Sequence, residues 1–188
     1  MLHGGNTGRV LIAACLGCAA LRAQVAIAGR VLGEHDLAGK LVMRLITNGS
    51  LLDRKAVQTG IARIGRAAGE VWFKVDTGTS VGLARINGTR ARPEGVARRL
   101  ACCAALAPTW VQTCLFRIDG ELPAEQEIEA YLALLAPLAP ALAGVHLYSL
   151  ARPSLQKEAP RLGRLEVGRM EDMAQRIRQL GLTVRVSP

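Results

Sequence analysis

The chain has few aromatic side chains: Phe, Trp and Tyr together make up 3% of its 188 residues. Proteins that bind single-stranded nucleic acid stack bases on aromatic rings, so this shortage argues against that class. The formal net charge of +9 is nevertheless compatible with an anionic partner. The basic residues are spread along the chain, with local concentrations in residues 85–99 and 152–169. We interpret them mainly as solvated surface, which makes nucleic acid the less favoured partner.

The chain also lacks an apolar run long enough to span a bilayer. Residues 10–21 are apolar and follow Arg9, like the start of a signal peptide, and the sequence before Cys15 resembles a lipoprotein cleavage box. Five cysteines, an odd number, give no sign of a disulfide framework and favour a reducing compartment. We therefore expect a cytoplasmic protein outside the membrane. An exported form that is modified at Cys15 is the alternative.

Short apolar runs alternate with amphipathic stretches along most of the chain, which is typical of βα units and a parallel sheet. Strands are predicted at residues 41–46, 71–75, 109–118, 145–150 and 182–186. Helices are predicted at residues 21–32, 53–68, 79–86, 92–106, 123–138 and 169–180. The expected fold is α/β, a partial (β/α) TIM-like barrel with about five parallel strands. Residues 1–20 stand apart as an atypical N-terminal segment, and residues 21–188 form the barrel domain.

Polar residues occur where the predicted strands end, at the edge where barrels of this kind carry their function. They are Thr47 and Asn48, then Lys74 and Asp76, then Gln112 and Thr113, and then His146 and Tyr148. Several of them have a simpler interpretation as well. Thr47-Asn48-Gly49 is a common turn sequence, Asp76 is suited to cap a helix, Lys74 is suited to pair with Asp76, and His146 is suited to a hydrogen-bonded place in the core.

Several phrases, in their order along residues 22–188, resemble the later half of the radical S-adenosylmethionine (SAM) superfamily. They are LITNGSLL, VWFKVDTGT followed by ARINGT, WVQTCLF, EQEIE and VHLYSLARPS. The resemblance implies reductive cleavage of SAM at a [4Fe-4S] cluster held by three cysteines. It also implies that Asp76 contacts the ribose or polar tail of SAM, that Thr47, Asn48, Lys74, Gln112 and Thr113 line the same site, and that His146 and Tyr148 contact adenine or a substrate.

The sequence departs from this family at the cluster. The family pattern is Cys-x3-Cys-x2-Cys; Cys15 and Cys18 have the second spacing, but Leu11 occupies the place of the remaining cysteine. The Gly-Gly-Glu-like turn that holds the amino group of SAM is absent too. We therefore expect no metal site and a truncated or inactive form, which associates with itself or with a complementing N-terminal polypeptide and acts on an unknown substrate. The alternative is a non-catalytic basic barrel fragment that binds phosphate, nucleotide or RNA.

Loss of the early strands would also have a consequence for the sheet. The strand at residues 41–46 would then become an edge with unpaired backbone groups, unless residues 1–34 cover it. An uncovered edge predicts low solubility or a dimer.

Overall fold

The computed structural model describes residues 9–13, 42–150 and 157–187. Strands and helices alternate along these residues, as the apolar pattern predicts. The strands are β1 (Arg9–Ala13), β2 (Val42–Thr47), β3 (Glu70–Lys74), β4 (Thr109–Cys114), β5 (Phe116–Ile118), β6 (Gly144–Tyr148), β7 (Leu162–Arg164) and β8 (Val184–Ser187). The helices are α1 (Lys55–Arg66), α2 (Ser80–Asn87), α3 (Pro93–Ala104), α4 (Glu125–Leu135) and α5 (Val167–Arg178), with short 3-10 turns at Ala136–Ala141 and Ala159–Arg161. The predicted helix at residues 21–32 lies outside the described residues.

Six strands form one parallel sheet in the order β1-β2-β3-β4-β6-β8. Because this order follows the chain, right-handed crossovers place each connecting helix on the same face of the sheet. A sheet wound in one direction is the arrangement of a (β/α) barrel, and here β1 and β8 remain its two end strands among the described residues. The predicted α/β class and partial barrel are confirmed, with one strand more than the five expected.

The additional strand is β1, which pairs with β2 from Arg9 opposite Val42 to Ala13 opposite Ile46. The edge of β2 is therefore covered by residues of the N-terminal segment, as the prediction of an exposed edge allowed. Residues 9–13 follow the parallel order of the sheet even though their segment lacks the turn signals of the later units. The division of the chain at residue 20 stays a prediction.

The predicted strand at residues 109–118 is two strands. After β4 the amide of Leu115 donates to the carbonyl of Tyr148 at 2.9 Å, which is the last bond to the parallel sheet. The chain then continues as β5, which pairs antiparallel with β7 in a separate two-stranded ribbon. This β5–β7 ribbon lies over the carboxyl end of β4.

The core lies between one face of the sheet and the helices. Strand residues at alternate positions on this face are buried, among them Leu45, Val71, Phe73, Val111, Val145 and Leu147. They meet buried helix residues such as Ile61, Leu100, Leu135, Met170 and Ile177. Each large apolar side chain buried in this way contributes about 1.5–3 kcal/mol before the entropy of ordering is subtracted.

The residues between them point to the other side of the sheet. This second side, the polar face, carries Arg44, Glu70, Trp72, Lys74, Trp110, Gln112, His146, Tyr148 and Arg185. In a barrel built from βα units the face opposite the helices is the interior. The interior side of this sheet is thus polar and aromatic, unlike the aliphatic packing that fills a closed barrel.

Candidate functional site

Lys74 and Asp76 form an ion pair at the carboxyl end of β3. The Lys74 Nζ donates to Asp76 Oδ1 at 2.9 Å, and the Asp76 side chain is 1% exposed against 29% for Lys74. The same oxygen accepts the backbone amide of Cys114 at 3.0 Å, and Oδ2 accepts from Asn87 Nδ2 at 3.1 Å. Asp76 therefore joins the ends of β3, β4 and α2. Both of its oxygens are engaged.

Lys74 also donates to the hydroxyl of Tyr148 on β6, at 3.1 Å. Burial disfavours the ammonium form, but the Asp76 carboxylate and the Tyr148 oxygen outweigh it, so the pKa of Lys74 is raised. Lys74 is therefore protonated and positively charged at neutral pH. The same lysine leaves part of its surface open on the polar face.

Gln112 lies between these residues and β6. The register pairs it with Lys74 on one side and with His146 on the other. Its side chain is half-buried and makes no hydrogen bond to another described residue that would fix its amide. Lys74, Gln112 and Tyr148 thus bring an ammonium, an amide and a hydroxyl to one end of the polar face.

The other predicted site residues lie elsewhere. Thr113 is buried on the helix side, where its hydroxyl bonds to the Val75 carbonyl at 2.9 Å and to the Tyr131 hydroxyl at 2.7 Å. Thr47 is buried on that side as well, and its Oγ1 accepts the Gly49 amide at 3.1 Å. Asn48 is exposed, and its Oδ1 accepts the Ser50 amide at 3.0 Å. Of the six predicted residues, the structure brings together Lys74, Asp76 and Gln112.

Two interpretations of the strand ends are decided by these contacts. The Thr47-Asn48-Gly49 segment is a turn closed by its own side chains, and Gly49 has a φ of 69°. Asp76 does not cap α2, because Thr79 is the cap and its Oγ1 accepts the Gly82 amide at 2.9 Å. The binding roles that the resemblance implies for all these residues stay predictions.

Sequence reasoning missed a second polar cluster on the helix side of β3. Glu127 of α4 accepts the hydroxyl of Thr77 at 2.6 Å and that of Thr79 at 2.5 Å. The phrase that contains these threonines signalled the strand end, but not its partner 48 to 50 residues later. Asn87 was missed in the same way, because the hydrogen bond that it donates to Asp76 forms only when the end of α2 lies against the end of β3.

An aromatic stack occupies the other end of the polar face. The His146 ring lies between Trp72 and Trp110, with ring centroids 4.3 Å and 4.6 Å away. Arg44 lies 5.3 Å from the Trp72 centroid and Arg185 lies 4.0 Å from that of Trp110. His146 Nε2 is buried and has no hydrogen-bond partner among the described residues. Among the described residues, His146 is therefore held by ring contacts, and its Nε2 lacks the hydrogen bond expected of a core histidine.

This stack predicts a pH dependence of stability. The pKa of His146 is lowered, because burial disfavours the imidazolium and Arg185 and Arg44 repel it, whereas Glu70 acts in the opposite direction. Below the ordinary histidine pKa of about 6.5 the unfolded chain binds a proton at this side chain, whereas the folded chain binds it only at lower pH. The free energy of unfolding therefore falls as the pH falls through this range. We expect the stability of a His146→Phe variant, relative to the wild type, to rise from pH 7.5 to pH 5 in urea unfolding. An unchanged difference would contradict this prediction.

The described residues contain no group of three or more His, Cys, Asp or Glu side chains that could hold a metal ion. Burial raises the pKa of the Cys103 thiol and of the Cys114 thiol to about 11, so both are protonated rather than ligating thiolates at neutral pH. The described residues do not fit a [4Fe-4S] cluster, and Cys15 and Cys18 lie outside them.

No helix in the described part of the chain combines the length and the apolar character needed to cross a membrane.

Comparison with known proteins gives structural likeness alone. No protein-family model matches the chain, and no curated protein matches it. A domain of pyruvate-formate lyase-activating enzyme from Bacteroides vulgatus is similar over 94% of this chain and 98% of that domain, with a TM-score of 0.64 and 16% identity. A radical SAM methyltransferase from Sphaerobacter thermophilus is similar over 77% of this chain and 40% of its own length, with a TM-score of 0.53 and 18% identity.

SuiB from Streptococcus suis is similar over 95% of this chain and 38% of its own length, with a TM-score of 0.63 and 10% identity. In its structure bound to S-adenosylmethionine the coverage is 88% and 34%, with a TM-score of 0.56 and 9% identity. The chain thus spans nearly all of the first protein and less than half of the other two. At these identities the likeness shows a shared fold, which is the fold that the resemblance implies.

Proposed function

We propose that the chain is a radical SAM-type protein that binds SAM at the carboxyl end of the polar face and does not hold the cluster with its own described side chains. One observation carries the binding part: Lys74, Gln112 and Tyr148 occupy adjacent strands at one end of one face. The shared fold supports the choice of ligand, because SuiB with this fold has been solved bound to S-adenosylmethionine.

The three side chains complement the polar groups of SAM. The ammonium of Lys74 is suited to a carboxylate, while the amide of Gln112 and the hydroxyl of Tyr148 both donate and accept hydrogen bonds, as ribose hydroxyls and an adenine edge require. Asp76 is a positioning residue in this proposal. Its side chain is 1% exposed and already accepts three hydrogen bonds, so it fixes the Lys74 ammonium instead of contacting the ligand.

The chemistry that SAM and a [4Fe-4S] cluster supply in this family is the reductive cleavage that starts radical catalysis. The described residues provide a place that orients the nucleoside, but they provide no thiolate set for iron. Catalysis by this chain then depends on cluster ligands from a complementing polypeptide, and the chain alone is inactive.

The binding proposal is tested by titrating SAM into the wild-type chain and three variants in a calorimeter. We expect Lys74→Met and Gln112→Leu each to weaken binding about tenfold or more, which corresponds to about 1.4 kcal/mol per tenfold change. Gln175→Leu, an exposed position on the outer helix α5, is the matched control and should bind as the wild type does. Circular dichroism confirms that each variant is folded at the titration temperature.

Two results would contradict the proposal. Equal affinity of SAM for all four proteins would remove the polar face from the site. Tighter binding of ATP than of SAM, with a steep loss of affinity as salt is raised, would favour the alternative of a basic nucleotide-binding fragment.

Anaerobic reconstitution with iron and sulfide tests the proposal that the chain does not hold the cluster. We expect a colourless protein, and a brown [4Fe-4S] absorbance would contradict this proposal.

A further inference from the structure

A cavity of about 490 Å³ lies beside the carboxyl ends of β3 and β4, between α2, α4 and the β5–β7 ribbon. Its size is in the range of small-molecule sites. Much of its wall is apolar and is formed by Ile86, Leu115, Phe116, Ile118, Leu122 and Ile128. Asp76 is one of the lining residues, and its carboxylate holds Lys74 on the polar face. The cavity is thus a neighbour of the proposed SAM site, but it has its own walls.

The charges around this cavity are opposite in sign to the charge of the whole chain. Four carboxylates line it, those of Asp76, Asp119, Glu121 and Glu127, against the two guanidinium groups of Arg85 and Arg161. The chain as a whole carries a formal charge of +9. Arg161 and Asp119 neutralise each other at the mouth, where Arg161 donates to both oxygens of Asp119 at 2.9 Å and 2.6 Å, and Lys74 neutralises Asp76. The lining charges that remain are the carboxylates of Glu121 and Glu127 against the guanidinium of Arg85, an excess of one negative charge. The lining therefore favours a cationic ligand.

Glu127 is the carboxylate best placed to receive that cation. It is half-buried in the cavity wall, and its described partners are two neutral hydroxyls, those of Thr77 and Thr79. None of the ion pairs among the described residues includes it. A carboxylate has room for more than two hydrogen bonds, so a donor from a ligand can be added to those of the threonines.

The local backbone holds this carboxylate in place. A Cβ atom at Gly82 would lie 2.1 Å from the Thr77 hydroxyl oxygen and 2.7 Å from Glu127 Oε2. Because Gly82 has no side chain, the Thr77 hydroxyl and the Glu127 carboxylate can approach each other beside α2. A carboxylate that is already ordered loses little further entropy when it binds a ligand, which is the usual advantage of a preorganised site.

We propose that this cavity binds a small, largely apolar organic amine, with its ammonium group at Glu127 and its apolar body against the walls of the β5–β7 ribbon. The site is separate from SAM binding on the polar face, and it does not depend on that proposal. Asp76, which both sites share, places an occupant of the cavity next to Lys74.

The test uses three probes of nearly equal size on the full chain: phenethylamine, 2-phenylethanol and phenylacetate. Binding is followed by ligand-observed NMR titration. We expect phenethylamine to bind with a dissociation constant on the order of 0.1–1 mM, as its few non-hydrogen atoms allow, and at least about tenfold more tightly than the alcohol. Phenylacetate should not bind. Glu127→Gln should reduce the affinity for phenethylamine to that of the alcohol.

Two tryptophan variants locate the site, one at Ala124, the N-cap of α4, and one inside α4. Ala124 is exposed and lines the cavity, so Ala124→Trp should fill its mouth and abolish phenethylamine binding. Ala133 is exposed on the same helix and is not part of the lining, so Ala133→Trp should bind as the wild type does. Both positions face solvent, so neither substitution is expected to disturb the fold. SAM affinity should be unchanged in both variants.

Three outcomes would overturn the proposal. They are binding of phenylacetate as tight as that of phenethylamine, binding of phenethylamine to Ala124→Trp at the wild-type affinity, and absence of binding by all three probes. Loss of SAM binding in Ala124→Trp would put SAM itself in this cavity, and it would overturn the separation of the two sites. The Lys74 and Gln112 variants report on the polar face independently of these results.

Discussion

Replacement of Asp76 by alanine is expected to lower the free energy of unfolding by about 3–5 kcal/mol, the range for removing one partner of a buried ion pair. The carboxylate is 1% exposed and accepts hydrogen bonds from Lys74, Asn87 and the amide of Cys114. Without it, a buried backbone N–H loses its acceptor and a partly buried ammonium loses its counter-charge. Urea unfolding of the wild type and the variant at pH 7 measures the difference.

The pH dependence of this loss follows from Lys74. Its pKa is raised in the folded chain, so the stabilisation by the pair is complete below the unfolded lysine value of about 10.4 and is lost only as the pH rises through the higher folded value. The penalty of Asp76→Ala should therefore be the same at pH 7 and pH 9. A penalty that disappears by pH 9 would show that Lys74 is not the partner that matters.

A matched exposed pair provides the control. Asp172 bonds to Arg169 at 3.7 Å on the surface of α5, with the two side chains 72% and 60% exposed. Asp172→Ala should cost no more than about 0.5 kcal/mol, as exposed pairs usually do. A double-mutant cycle of Asp76→Asn and Lys74→Met should give a coupling energy of at least about 1 kcal/mol. Additive effects of these two substitutions would contradict the ion pair as the source of the stability.

Replacement of Gly78 by alanine is expected to destabilise the chain by about 3 kcal/mol, at the upper end of what an added methyl group costs in a packed interior. A Cβ atom at this position would lie 2.3 Å from the carbonyl carbon and oxygen of Ala130 and 2.4 Å from the amide nitrogen of Tyr131. These are backbone atoms inside α4, so they cannot turn away as a flexible side chain does. The loop after β3 and α4 would have to separate.

This separation would also disturb the cavity that contains Glu127. Glu127 lies one turn before Ala130 on α4, so a shift of this helix weakens its bonds to Thr77 and Thr79. Thermal unfolding followed by circular dichroism, together with urea unfolding, measures the effect. Gly168→Ala is the control, because the second residue of α5 has open space around it, and alanine there should be neutral or stabilising by up to about 1 kcal/mol. Equal stability of both variants would show that the loop and α4 do not pack as described.

The sequence predicted the later strands to within a few residues because buried parallel strands are short apolar runs between helices of a different period. It did not predict the boundary between β4 and β5. Residues 109–118 form one apolar run, and nothing within it marks where the chain leaves the parallel sheet. The boundary is set by Tyr148, whose carbonyl ends the pairing at Leu115, and by β7, which receives β5.

Alternation of strand side chains places Gln112 beside Lys74 on the polar face and Thr113 on the helix side, because adjacent residues of a strand point to opposite faces, although the resemblance grouped Thr113 with Gln112. On β4 the burial pattern is almost continuous, since the polar face there is covered by the indole of Trp110 as well as by its neighbours. Alternation along the strand gives the side to which Thr113 points, but it does not identify the partner of its hydroxyl. Its hydroxyl is directed by Tyr131, which belongs to a helix 18 residues later.

Local chemistry alone determined that this protein is built of βα units and that its polar residues collect at the strand ends, because hydrophobic period and turn residues act over a few positions. Tertiary structure decided which of those residues meet. The register of β3, β4 and β6 joined Lys74 with Tyr148, the return of α2 gave Asp76 its second partner, and α4 brought Glu127 to Thr77 and Thr79. These contacts join residues 11 to 74 positions apart, and only packing of the whole sheet against its helices fixes distances of that kind.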